Sequence, residues 1–456
     1  MAPSPTTASP TTPLTHNLLM RALGLLLISA AIAVIAVKSS ASRDTSEVIF
    51  LVSLIFAYAG SRTTSPVLRV YVVFVALWFF LPSLFGLDTG QPQLTQVYLI
   101  VALWLFAWTG GQLVFDRLDH VASEAKQPGY LRDREALIGL MAIGSVAMLI
   151  QAKQIAEGIR AYTLQISGVT DTSLSGDIAT TAGPALIAAF IIAQRSSSRR
   201  VKTIILLLMV IEAIFLTQNG FRSSAVDFEA AGFIAYIAVY PPSTSRARRA
   251  LAGWLLIAVV LGLPLLLIAS NIRQTAQFGT SRNSLTFASL PQAISGRLDE
   301  TANLGQALGP LNPQARSVVA MTHQLEILVP RPLWPDKPIF NYGEQVSSAI
   351  YGIPASYKTA STITWLGDLY LNDGPWGILV SGIILGSLLR RVLRRAVRGS
   401  TLMIVVTVPL VTALFNAEST IILGIAGMLQ TVILLTLACL IARSLSPILL
   451  GGRLSQ

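Results

Sequence analysis

The feature that most limits what this chain can become is a series of apolar runs, each long or nearly long enough to cross a bilayer, separated by short polar segments. Inside lipid every backbone N–H and C=O must be satisfied within its own segment, so an apolar run of this kind spans as a helix. The runs cover residues 18–37, 48–60, 67–85, 94–115, 136–150, 178–193, 201–217, 225–240, 251–270, 375–389, 402–415 and 421–441. They predict an all-α polytopic membrane protein of about 12 transmembrane helices. The second, fifth and eleventh runs are short, which points to tilt, re-entry or extension by flanking polar residues. A mean hydropathy of +0.64 excludes a soluble globule.

Charge sets the expected orientation. The net charge is +11, but the 33 Lys and Arg residues gather in short clusters between apolar runs, a topological pattern and not a nucleic-acid footprint. With the N-terminus inside, the short outer loops hold only Lys38, Arg43, Lys153, Arg160 and Arg222. An even number of spans then leaves both termini cytoplasmic and puts residues 271–363 outside as one large loop. A structureless loop of that length is improbable, and residues 286–294 and 313–328 are the expected helical pieces within it. Residues 1–15, rich in Pro, Ser and Thr, read as a disordered tail, and residues 16–456 as a single polytopic domain. The first apolar run lacks a convincing cleavage site and reads as an uncleaved helix. Cys439 has no second cysteine to pair with.

The chemistry-bearing residues concentrate in and around the large loop. Pro330, Pro332, Pro335 and Pro338 bar residues 329–339 from a helix interior or a central strand. This stiff turn carries Arg331, Asp336 and Lys337 beside Trp334, a grouping suited to an anionic ligand with an apolar or sugar face. The competing reading is a connector that needs proline for shape and charge for solubility. Glu212, Arg222, Asp227, Glu229 and Arg273 fall near the outer ends of runs and either form a ligand site or cap helix ends as an ion-pair network. His323 is the one histidine placed outside. Asp368 and Tyr370 precede the tenth run, where Gly374, Pro375 and Gly377 provide a tight helix start.

The run PRPLWPDKP, then Gly343, then GDLYLNDGPWG, together with GFRSSAV at residues 220–226, resembles the oligosaccharide repeat-unit polymerases of the O-antigen polymerase (Wzy) type. The resemblance implies a fold like that of the type C glycosyltransferases. It implies a bacterial inner-membrane enzyme that joins undecaprenyl-diphosphate-linked oligosaccharide units on the extracytoplasmic face. Arg222, Arg273, Arg331 and Lys337 would hold the diphosphate, with Trp334, Asp368 and Tyr370 as further substrate-binding residues. The base for the acceptor hydroxyl would be His323, Glu326, Asp336 or Glu344. A diphosphate leaving group carries charge well, so Arg and Lys can stabilise its departure without a metal or other cofactor. The first outer loop has no adjacent pair of acidic residues; the adjacent pair outside is Asp299 with Glu300. Expected partners are lipid-linked oligosaccharides, membrane lipid, a chain-length regulator and a flippase, and no nucleic acid. An O-antigen ligase and a flippase or transporter of lipid-linked glycan are the other readings. No Walker loop, HExxH motif or Cys/His cluster is present, and no repeat relates the two halves.

Overall fold

The structure, a computed structural model, describes residues 43–61, 66–79, 93–121, 131–158, 174–218, 222–240, 268, 300–309, 334, 342–354, 363–397, 400–415 and 421–450. Every regular element among them is a helix. They are α1 (Arg43–Ser61), α2 (Pro66–Phe79), α3 (Leu94–Val121), α4 (Asp133–Ala156), α5 (Leu174–Ala179), α6 (Ala182–Ser196) and α7 (Arg199–Gln218). After these come α8 (Arg222–Val239), α9 (Glu300–Leu308), α10 (Tyr342–Ala349), α11 (Thr364–Val397), α12 (Thr401–Phe415) and α13 (Ile421–Leu450). Within α3, α4, α7, α11 and α13 lie stretches long and apolar enough to cross a membrane. Ile204, Leu207 and Val210 on α7 and Ile433, Leu437 and Ile441 on α13 stand exposed, faces that belong in lipid and not in water. This is the architecture of a helical membrane protein.

The helices bear out most of the apolar runs and correct some boundaries. The first run, 18–37, lies outside the described residues, as does the ninth, 251–270, apart from Ile268. The second and fifth runs lengthen by recruiting flanking polar residues, α1 from Arg43 and α4 from Asp133. The eleventh stays short, 15 residues in α12. Run 178–193 is not one helix: α5 stops at Ala179 and α6 starts at Ala182. Pro184 has no N–H to offer the carbonyl of Thr180, so the helix restarts with the proline in its first turn. Thr181 closes the end of α5, its N–H and its hydroxyl both donating to Ile178 O, at 2.9 and 2.6 Å. The expected loop helices 286–294 and 313–328 lie outside the described residues, and α9 and α10 occupy positions not expected to be helical. Trp334, the one described residue of 329–339, is in no regular element.

At the centre is α3, apolar on all sides and buried on all sides, with Leu99 to Leu105 at most 1% exposed. Phe50 of α1 stacks on Tyr98 at 5.2 Å between ring centroids, and the Trp104 indole donates to the Tyr71 hydroxyl at 3.1 Å. Its partner is α11, held through small residues. A Cβ on Gly386 would stand 2.2 Å from Trp108 O, and one on Gly111 2.2 Å from Ile383 O, so the two backbones touch. Lipid offers no hydrophobic incentive for helix association, and close approach of small residues supplies the dispersion that replaces it. Ser387 Oγ donates across the same seam to Gly111 O at 3.1 Å.

The two ends of the bundle differ. At one, Arg195 donates to Ala396 O at 3.2 Å and reaches Asp133 at 4.0 Å, while Thr401 donates to Asp133; Arg199, Arg200, Lys202, Arg390, Arg394 and Arg395 belong to this end. At the other, α2 ends, α3 begins, and a small cap of α9 and α10 covers the start of α11. Ala307, Val346 and Ile363 form its core, Tyr351 OH donates to Asn303 Oδ1 at 3.2 Å, and Thr301 donates to Phe79 O at 3.5 Å.

Candidate functional site

The cap end is organised by a break in α11. Gly374 has φ 63° and ψ −153°, a backbone region open in practice to glycine alone. Pro375 follows, its fixed φ suited to restarting a helix. The chain turns so sharply there that a Cβ on Gly377 would come within 2.9 Å of Leu369 O. The residues read from sequence as a helix start are indeed one. What precedes them, between the expected loop 271–363 and the run 375–389, is a second short helix, residues 364–373. The sequence held a signal for it: Trp365, Leu366 and Leu369 recur at helical spacing, but Asp368, Asn372 and Asp373 disguise the pattern.

This short helix has a strained beginning. Thr364 is 1% exposed with φ 61°, and its Oγ1 accepts the Gly367 N–H at 3.1 Å, the bond of an N-cap. A positive φ at a β-branched residue persists only where the surroundings impose it, and such strain gathers at functional sites. The next residue, Trp365, meets Trp104 edge-on at 4.1 Å, locking the helix to α3. One turn on comes Asp368, fully buried. Asn372 Nδ2 donates to Asp368 O at 2.8 Å and to its Oδ1 at 3.3 Å. α9 lies on the same turn, since a Cβ on Gly367 would meet Ala307 Cβ at 3.1 Å. Tyr370 is half-buried against the main core. A carboxylate, an amide, a phenol and an indole wall thus share one broken helix beneath a two-helix cap. Non-helical backbone at membrane depth is tolerated only in protein or beside a cavity, and charges there are functional more often than elsewhere.

Of the residues singled out from sequence, Asp368 and Tyr370 lie on this helix. Glu344 is in the first turn of α10, half-buried in the cap, and Trp334 is half-buried. Arg222 opens α8, but its side chain, like those of Asp227 and Glu229, is not among the described ones. Arg273, His323, Glu326, Arg331, Asp336 and Lys337 lie outside the described residues. Glu212 is 1% exposed, and its described partner is Gln151, an amide that the charge pattern gave no reason to select.

No family model, curated protein or solved structure matches this chain. Function therefore rests on the site.

Proposed function

We propose that the protein polymerises undecaprenyl-diphosphate-linked oligosaccharide repeat units into surface polysaccharide at the extracytoplasmic face of a bacterial inner membrane, as a glycosyltransferase. The observation that carries the reading is the buried Asp368 on the broken start of α11, flanked by Trp365, Tyr370 and Asn372 beneath the cap helices. Indole and phenol rings suit sugar faces, and a carboxylate and an amide suit sugar hydroxyls. The basic end of the bundle supports the orientation, because Lys and Arg favour the cytoplasmic side; the cap then faces outward, and both termini lie inside around about 12 spans. Residues 271–363, which supply α9 and α10, form the large outer loop in this scheme. Arg222, Arg273, Arg331 and Lys337 hold the diphosphate, and one of His323, Glu326, Asp336 and Glu344 takes the proton from the acceptor hydroxyl.

The broken helix favours one second reading, a flippase of the same lipid-linked glycan, since transporters place ligand sites at helix breaks. Deleting the gene and sizing the surface glycan separates the readings. Loss of long chains with single units retained supports the polymerase. Lipid-linked units stranded on the cytoplasmic leaflet support the flippase, and loss of all attached glycan an O-antigen ligase.

A further inference from the structure

Away from the cap, a second polar pair is buried among apolar helices. Glu212 projects from α7 and Gln151 from α4; they are 1% and 4% exposed. Gln151 Nε2 donates to Glu212 Oε1 at 3.1 Å and to Ala179 O at 2.8 Å, the carbonyl at the end of α5 where the helix breaks. That second bond fixes the amide, because the flipped form would set two acceptor oxygens against each other at the Ala179 contact. Both amide hydrogens are then used. What remains is Gln151 Oε1 and Glu212 Oε2, both buried, and neither has a hydrogen-bond partner among the described residues. With Glu212 ionised these are two acceptors without a donor, which is costly in an apolar setting. One proton on Glu212 Oε2, donated to Gln151 Oε1, satisfies both at once.

Among the described side chains, the charged groups on the surrounding helices offer no substitute for that proton. Lys153 and Glu157 of α4 pair with each other at 3.8 Å and are exposed. Arg132, Arg134 and Glu135 lie at the far end of α4, and Arg195 of α6 is engaged with Asp133. Lys202 is about 15 Å along α7 from Glu212, and Arg200 and Arg199 are farther still. Asp177 of α5 and Arg222, Asp227 and Glu229 of α8 have side chains outside the described ones. Gly183 of α6 faces the pair, and a Cβ there would lie 4.0 Å from Glu212 Oε1, so the helix restart leaves the carboxyl its room.

We propose that Glu212 and Gln151 form an intramembrane proton-binding site, in which a protonated carboxyl closes a two-bond ring with a primary carboxamide at the break between α5 and α6. The site takes up one proton from water onto Glu212 Oε2 and releases it there; no other bond changes. Binding ties α4, α5 and α7 together, and release leaves a bare carboxylate that drives the junction open. The site is separate from the glycan site and stands without it.

Infrared spectra of the purified full chain in lipid nanodiscs at neutral pH test this directly. The wild type is expected to show the C=O band of a protonated carboxyl that vanishes in Glu212→Gln, a neutral isostere. Gln151→Leu is expected to move that band to higher frequency as the acceptor bond is lost. Identical carboxyl regions in wild type and Glu212→Gln overturn the proposal, as does a band indifferent to Gln151→Leu. Should Gln151→Leu not fold, the wild-type band decides: the frequency of a hydrogen-bonded acid supports the ring, and that of a free acid overturns it. Thermal stabilisation by sodium over potassium in the wild type, absent in Glu212→Gln, also overturns it in favour of a sodium site.

Discussion

Gly377 rests against the carbonyl of Leu369, 2.9 Å from where its Cβ would stand, although eight residues of straight helix would separate them by about 12 Å. The break at Gly374 folds the short helix carrying Asp368 back on the long one. Two glycines are needed for this, Gly374 for its dihedrals and Gly377 for the contact. Gly377→Ala should therefore force the break apart, costing about 1–3 kcal/mol as overpacking does, with loss of glycan chain length. Thermal melting of detergent-purified protein, alongside glycan sizing, checks both effects.

The α3–α11 seam makes a sharper demand. At Gly386 and Gly111 the atoms met by a new methyl are backbone, which has no rotamer to yield. Gly386→Leu should abolish folded protein, and Gly386→Ala should melt well below wild type. By contrast Gly427, with open space around it, should accept Ala with little change, within about 0.5 kcal/mol for a site away from such features. A Gly386→Ala protein as stable as Gly427→Ala would show that the seam is looser than described.

The proposed orientation rests on the contrast between the basic end and the cap. Ser348 is exposed in the cap and Ser198 is exposed beside Arg199 at the basic end, whereas Ser347 is buried and donates to Gly343 O. A cysteine at Ser348 should react with an impermeant thiol reagent added outside the cell, and one at Ser198 should not. The opposite labelling would invert the topology and remove the external site.

Much of the fold was legible because lipid enforces a simple code: apolar length reports helices, and α2, α3, α7, α8, α12 and α13 begin within a few residues of their apolar runs. The break between α5 and α6 was not read, because Thr180 and Thr181 barely interrupt apolar composition while Pro184 acts through one missing N–H. The short helix of residues 364–373 was hidden by its own polar residues, since Asp368, Asn372 and Asp373 interrupt the apolar pattern of a helix that is buried along Trp365, Leu366 and Leu369. Glycine seams leave no hydropathy signature, yet Gly382 and Gly386 at helical spacing, opposite Ala107 and Gly111, mark one in retrospect. Asp368 and Tyr370 were singled out by their place beside a helix start, and both lie on the short helix before it. Gln151 was missed because a neutral amide just past the end of an apolar run carries no charge signal.

Arg331 and Lys337, outside the described residues, are the proposed diphosphate contacts among Pro330, Pro332, Pro335 and Pro338; a guanidinium can grip a diphosphate through two parallel bonds and an ammonium cannot. Losing that grip in the transition state should cost about 2–4 kcal/mol, or roughly 30-fold to 1000-fold in rate. Arg331→Lys should fail nearly as badly as Arg331→Ala at equal protein level. Lys337→Arg should be tolerated better than Lys337→Ala. Wild-type glycan length in both Arg331 variants would make this turn a connector only.

The most direct measurement is made on the purified protein reconstituted in liposomes with a single synthetic undecaprenyl-diphosphate-linked repeat unit, sizing the lipid-linked products. The account predicts a ladder of longer chains from the wild type, with free undecaprenyl diphosphate released in step. It predicts no ladder from Asp368→Asn protein that melts as wild type does. Substrate recovered at its original length from well-folded wild-type protein, or a ladder undiminished by Asp368→Asn, would contradict it.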